Sequence, residues 1–223
     1  MLIERSMHPG WLSNAYLVAV EEGGTALFVD SGAPLEPLLA ATERWDVRPR
    51  YLLRTHSHPD HVAHEDELRE RFGLEVVTAG LEADGLRATA LETPGHADDH
   101  LVFVVNGEAC FAGDLLFRDA VGGGPDAGVI RRSVMDEVMT LPPAMRVLPG
   151  HTDETTIGRE WEQNPFVRVW RGVEPPLDEP CRVAGTEATL LVWSPDYDGK
   201  GKALVRLADG RETIVGGSRV ERR

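Results

Sequence analysis

Apolar residues in this chain come in short runs and not in long periodic stretches. The segments "NAYLVAV" at 14–20, "TALFVD" at 25–30, "YLLRT" at 51–55, "LEVVTA" at 74–79, "HLVFVV" at 100–105 and "ACFAGD" at 109–114 lie between turn signals and are rich in β-branched residues. Runs of that length and make-up predict strands. A helical period replaces them in two intervals. "PLEPLLAATERW" at 34–45 opens with prolines where a first helical turn tolerates them, and "HEDELRERF" at 64–72 sets Leu68 and Phe72 on one face before Gly73 ends it. A further helix is expected from Arg132 to Leu141. Hairpin-like strand pairs come first and helix-separated strands follow, an order that predicts an α/β sandwich with helices packed on sheets.

The pattern changes after residue 172. "VEPPLDEP" at 173–180 holds three prolines and three acids and has almost nothing to bury, the composition of a linker. Beyond it "EATLLVWS", "GKALVRLADG" and "RETIVGGSRV" predict short strands joined by Gly/Asp turns, with Asp209-Gly210 a hairpin signal. The expected organisation is a main domain over 1–172, a linker over 173–180 and a small β-rich extension over 181–223. Two roles fit the extension: packing over the sandwich edge, where it shapes the cleft, or acting as a separate interaction module. Trp193 and Tyr197, which flank "SPD", read as a contact patch or as ordinary strand residues, and the second reading is preferred.

With 223 residues, 42% of them hydrophobic, the chain is long enough for one well-buried domain plus an appendage. No run approaches the roughly 18 apolar residues of a membrane span, and "MLIERSMHPG" lacks a basic stretch followed by an apolar one. A cytoplasmic enzyme with no membrane partner is expected. Cys110 and Cys181 are far apart and outside any CxxC pattern, which predicts reduced, buried thiols. Acids outnumber bases 37 to 23, for a net charge of −14, and no stretch is dense in Lys or Arg. Such a chain repels a phosphate backbone, so the expected partner is a small-molecule substrate and not a nucleic acid. The sequence carries no signal for an oligomeric state.

Candidate chemistry concentrates in "THSHPDH" at 55–61, where His56, His58, Asp60 and His61 crowd together in a chain with eight histidines. An H-x-H-x-D-H match arises by chance in roughly one chain of this size in a thousand. The segment follows the strand "YLLRT" and precedes a helix, so its side chains project from a loop anchored on both sides. Four residues on one loop do not complete two coordination spheres. Three more candidates stand at strand ends: His96 in "TPGH", Asp114 in "FAGD" and His151 in "LPGH". In both histidine cases Pro-Gly makes a tight turn that aims the ring from a fixed backbone. His8 and His100 have no partner signal and are read as structural, and His64 as a surface residue at a helix N-terminus.

The set "THSHPDH", "TPGH", "GD" and "PGH", in this order and after an early "LFVDSG", resembles the metallo-β-lactamase fold superfamily over about residues 10–170. The resemblance implies an αββα sandwich with a dinuclear centre at one edge. It implies His56, His58 and His96 on one metal, Asp60, His61 and His151 on the other, and Asp114 bridging. Asp30 of "LFVDSG" then supports the site from behind without ligating. Imidazole and carboxylate suit zinc first, with iron or manganese as alternatives. Two such ions lower the pKa of water towards about 7, so that a bridging hydroxide attacks while the metals polarise the carbonyl. Asp60 orients that nucleophile and relays a proton to the leaving group.

Within the superfamily, "GDLLF" at 113–117 and "PGHTDETTIGREWEQNPF" at 149–166 resemble the glyoxalase II group, which hydrolyses thioesters such as hydroxyacylglutathione. The expected activity is hydrolysis of a small acyl substrate, a thioester in first place. The flavoprotein oxidase branch carries glutamate where His58 stands, which counts against it. The chain also departs from the glyoxalase II pattern. An Ile-Gly-Arg stretch usually follows "GDLLF", whereas Ala120-Val121-Gly122-Gly123-Gly124-Pro125 stands here, without the arginine. The C-terminal helical region that supplies glutathione contacts is replaced by the linker and the β-rich tail. Arg159 is expected to pair with a carboxylate. The rival activity on this fold is a sulfur dioxygenase acting on a persulfide, with one iron on His56, His96 and Asp114 and no metal on Asp60, His61 and His151. The intact second set favours two metals.

Overall fold

In the computed structural model, which describes residues 1–222, the apolar runs pair into three large sheets and one two-stranded sheet. Arg223, the last residue of the expected extension, lies outside the described residues. β1 (Leu2–Met7), β2 (Asn14–Ala19), β3 (Thr25–Val29), β4 (Arg48–Leu53) and β5 (Glu75–Val77) form the first sheet in sequence order. β1, β2 and β3 are antiparallel neighbours. β3, β4 and β5 run parallel, and their crossovers pass through α1 (Glu36–Arg44), then α2 (Pro59–Val62) and α3 (Glu65–Phe72).

The chain continues through β6 (Leu81–Ala83), β7 (Leu86–Glu92), β8 (Leu101–Val105) and β9 (Ala109–Gly113). The small hairpin of β10 (Leu116–Phe117) and β11 (Ala120–Val121) comes next, then α4 (Ala127–Arg132), β12 (Arg146–Pro149) and β13 (Thr155–Thr156). The second sheet has the order β13-β12-β9-β8-β7-β6, with β12 parallel to β9.

Alternation along the strands separates two cores. Ala15, Leu17 and Ala19 of β2 pack with Phe28, Leu38, Leu52 and Leu68 beneath α1 and α3. Tyr16 and Val18 turn the other way and meet Phe103, Phe111 and Leu148 of the second sheet. Val102, Val104, Cys110 and Val147 line the outer face of that sheet against α4, α5 (Ile157–Gln163) and α6 (Pro165–Trp170). The layers are helix, sheet, sheet, helix, so the molecule is an αββα sandwich. β2 and β9 are buried along their whole length, which is why they read as continuous apolar runs. Neither cysteine is in a disulfide, and both are buried. No helix among the described residues is long and apolar enough to cross a membrane.

The helix expected from Arg132 to Leu141 differs in both start and regularity. α4 begins at Ala127 because the Asp126 carboxylate accepts from the N–H groups of Gly128 and Val129. The chain then widens to a π turn over Ser133–Glu137 and tightens to a 3-10 turn over Val138–Thr140.

The C-terminal residues form a five-stranded antiparallel sheet of β14 (Glu179–Val183), β15 (Thr186–Ser194), β16 (Lys202–Leu207), β17 (Glu212–Gly216) and β18 (Val220–Arg222), in the order β17-β16-β15-β14-β18. Leu191, Val192, Leu204 and Ile214 join the core beneath α4 to α6, while Cys181, Leu190, Ala203 and Val205 form a second, smaller core. Ile214 and Gly124 exchange backbone hydrogen bonds of 3.0 Å, stitching this sheet to the loop after β11.

Candidate metal centre

The loops after β4, β7, β9 and β12 meet at one edge of the sandwich, and short backbone bonds hold them there. Leu101 N–H donates to Thr55 O, Gly150 N–H to Gly113 O and Asn14 N–H to Gly150 O, each at 2.7 Å. Thr55 is gripped further by Asp30, whose two carboxylate oxygens accept from its N–H and its hydroxyl at 2.8 Å.

His56, His58, Asp60, His61, His96, Asp114 and His151 converge on this edge. Their donor atoms fall into three overlapping groups, each within 4.8 Å: His56, His58 and His96; His56, His61 and Asp114; Asp60, His61 and His151. Asp114 lies between the outer two groups. Its Oδ1 is 3.3 Å from His61 Nε2, and its Oδ2 is 3.3 Å from His151 Nε2 and 3.4 Å from His96 Nε2. Asp60 Oδ2 is 3.5 Å from His151 Nε2.

Four of the five imidazoles are oriented in one way. Nδ1 of His61 faces Asp30 Oδ2 at 2.8 Å, that of His96 faces Gly123 O at 3.0 Å, and that of His151 faces Leu12 O at 2.9 Å. Nδ1 of His56 is 3.1 Å from the Thr55 hydroxyl, whose own proton goes to Asp30. An acceptor at each Nδ1 fixes the proton there and leaves the Nε2 lone pair facing inward. His58 differs, because its Nδ1 lies 3.0 Å from His96 Nε2. Two lone pairs meet there unless a proton or a cation comes between them.

His56 Nε2, His61 Nε2 and Asp114 Oδ1 are buried with no hydrogen-bond partner. Buried polar atoms are seldom left so, and imidazole nitrogens with carboxylate oxygens aimed into one space fit a divalent cation. Burial pushes His56 down to about 2 and lowers His96 too, so both rings are neutral. Burial acts against the charged form of His61 as well, but the Asp114 and Asp30 carboxylates outweigh it and lift that ring well above the usual histidine range. Asp114 is the converse case: its burial is outweighed by the His61 and His151 imidazoles, which hold it well below the usual carboxylate range. A cation held between these groups would supply the positive charge that the His61 proton supplies to this pair.

Two residues support the cluster in roles the sequence did not single out, one of them read there as structural. His100 is buried, and its Nε2 accepts the Asp114 N–H at 3.0 Å while Nδ1 meets Thr93 Oγ1 at 2.9 Å. Burial pushes it down to about 3, so a neutral ring holds the backbone of Asp114. A lone histidine before a strand gives no hint of that role. Tyr197, preferred as a strand residue, lies beyond the end of β15. It stacks on His151, with ring centroids 4.1 Å apart and planes 5° from parallel, and presents its edge to Phe117. Turn formers surround Tyr197 in the sequence, so no periodic pattern marks it.

The remaining histidines stay away from the cluster. His8 Nδ1 accepts from the N–H groups of Gly10 and Trp11, and His64 stands at the start of α3 with Nδ1 3.5 Å from the Glu67 carboxylate. Arg159 pairs with Asp119 at 2.8 Å and Glu160 at 2.7 Å.

Comparison with known proteins agrees with this architecture. The family model described as the metallo-beta-lactamase superfamily matches residues 8–84, a span that holds Asp30 and the "THSHPDH" segment. Hydroxyacylglutathione hydrolase GloC of Haemophilus influenzae is 26% identical over 196 residues, covering 69% of this chain and 92% of that protein. An uncharacterized protein of Aquifex aeolicus is 30% identical over 193 residues, covering 69% and 90%. Among solved structures, a di-iron-bound form of TTHA1623 shares 30% identity with a TM-score of 0.60, over 72% of this chain and 98% of the other. With the family model matched and identity at that level sustained over nearly the whole length of a relative, the chain belongs to the metallo-beta-lactamase superfamily.

Proposed function

We propose that this chain is a hydrolase that works with two divalent metal ions on a small acyl substrate, a thioester in first place. The observation that carries the proposal is the overlap of the three donor groups through His56 and His61, with Asp114 between them. His56, His58 and His96 would hold one ion, Asp60, His61 and His151 the other, with Asp114 shared. When bound, such ions supply Lewis acidity to a carbonyl and lower the pKa of water to about 7. Zinc suits the donor set, and the di-iron form of TTHA1623 supports iron as a second candidate.

The protein's own groups divide the remaining work. Asp60 is the one carboxylate of the cluster with appreciable exposure, at 26% of its side chain, and it stands beside His151. A carboxylate placed there accepts a proton from the attacking water and returns it to the departing thiolate. Asp30 and His100 hold His61 and Asp114 in place. The likeness to GloC, described as a hydroxyacylglutathione hydrolase, supports a thioester as the class of substrate. The convergence of Asp60, His61 and His151 supports two ions over the single-iron dioxygenase.

Elemental mass spectrometry on protein purified without added metal or chelator, followed by a thioester panel, tests the proposal. Two ions per chain and thioester turnover are expected. A single iron per chain, with oxygen uptake on a persulfide, would overturn it. His58→Ala and His151→Ala should each lower metal occupancy and cut turnover by about a hundredfold or more; unchanged metal content and turnover in both would sink the two-metal assignment.

A further inference from the structure

A cleft beside the metal cluster lies between the sandwich and the C-terminal sheet. His96 and Gly123 form one wall, and Lys202, Arg211, Thr213 and Arg219 form the other, around a volume of about 590 Å³. Small-ligand sites span about 300–1,000 Å³, so there is room for a substrate arm. His96 Nε2 is 3.4 Å from Asp114 Oδ2, so the inner end of the cleft is the edge of the candidate centre.

The charge of this cleft is opposite to that of the molecule. Acids outnumber bases 37 to 23 in the chain, yet the lining contains three bases and no acid. Lys202 is balanced locally, since its ammonium meets Asp196 at 2.9 Å with both side chains buried. Arg211 keeps an exposed contact from Nε to Asp209 at 2.7 Å, which leaves its terminal N–H groups to spare. Arg219 has no carboxylate partner among the described residues. Guanidinium groups with spare donors at a cleft recognise anions through charge-assisted, often bidentate hydrogen bonds. The two walls are held together at β17, because Thr213 Oγ1 donates to Gly124 O at 2.8 Å and Ile214 and Gly124 exchange backbone bonds.

We infer that this cleft is a subsite for the anionic end of the substrate, with Arg211 and Arg219 recognising a carboxylate or phosphate on one arm of the thioester. The inference rests on the proposed hydrolase activity and adds the charge class of its substrate. It makes the C-terminal sheet a specificity element.

The test uses the full-length, metal-loaded protein and its Arg211→Gln/Arg219→Gln variant, both changes falling at exposed positions. Two thioesters with one acyl group are compared, one carried on 3-mercaptopropionate and the other on its methyl ester. Binding of glutarate and of inorganic phosphate is measured by titration calorimetry. In the variant the ratio of kcat/KM, carboxylate over ester, is expected to fall about tenfold, through KM, with a similar loss of affinity for one of the two anions. Which anion loses affinity tells a carboxylate arm from a phosphate arm. An unchanged ratio rules out the carboxylate arm, and anion binding equal in both proteins overturns the subsite. If the wild-type protein turns over neither thioester, the hydrolase reading fails, and calorimetry alone still decides: weaker anion binding in the variant upholds the subsite and equal binding removes it.

Discussion

Asp30 is 3% exposed and holds φ at 55°, a left-handed conformation that costs an L residue about 1 kcal/mol. Three hydrogen bonds of 2.8 Å offset that cost, two from Thr55 and one with His61 Nδ1. One carboxylate therefore sets both the loop that carries His56 and the tautomer of His61. Asp30→Ala is expected to lower metal affinity about 10- to 100-fold in chelator competition, with circular dichroism showing the fold retained. Unchanged affinity would mean that other contacts orient His61. Asp30 was legible only through the family resemblance, in which "LFVDSG" precedes the histidine cluster. His100 and Tyr197 were not, since each acquires its role from a partner on a distant strand: the Asp114 N–H for one and the His151 ring for the other. Residue type and spacing reveal ligands, which share a chemistry, better than they reveal the groups that hold ligands still.

Loops between strands do the positioning, and small residues let them approach. A methyl group added at Gly150 would lie 2.3 Å from Asp114 Oδ1 and 2.7 Å from His61 Cε1. The Pro-Gly before His151 thus gives more than a tight turn, because the glycine also leaves space for two other members of the cluster. Gly150→Ala is expected to cost about 1–3 kcal/mol of stability, a fall in Tm of roughly 2–12 °C for a chain this long, and to weaken metal binding by displacing Asp114. A variant with wild-type Tm and metal affinity would show that the loops yield at no cost. Gly122 follows the same rule, its added methyl falling 1.8 Å from Asp114 O. The glycines that replace the expected Ile-Gly-Arg stretch are accordingly a packing device at this position. Among the strands, β2, β3 and β9 were readable as apolar runs. β1 was not, because "LIERSM" sets two charged residues side by side along a sheet edge and buries only Ser6 fully.

On the scale of the whole molecule, the open question is whether the C-terminal sheet is a passenger or a part of the sandwich. The sequence separated it by composition, through the proline- and acid-rich stretch at 173–180, and composition does not report what a sheet packs against. Leu191, Val192, Leu204 and Ile214 share a core with Ile130, Val134, Phe166 and Val167. Each buried aliphatic side chain contributes about 1.5–3 kcal/mol relative to exposure, so four of them couple the two parts by on the order of 5 kcal/mol or more. That is comparable to the total stability of a typical domain, about 5–15 kcal/mol. Urea unfolding of the full chain should therefore be one transition, coincident by circular dichroism and by tryptophan fluorescence, which samples α5, α6 and β15 through Trp161, Trp170 and Trp193. Two separated transitions would mark the extension as an independent unit. Deletion of residues 175–223 should lower both Tm and solubility, because it uncovers the apolar surface above α6 and strips Tyr197 from His151. If the shortened chain folded and turned over every substrate at the full-length rate, the extension would shape nothing in the site, and the arginines of the cleft would have no part in choosing what enters it.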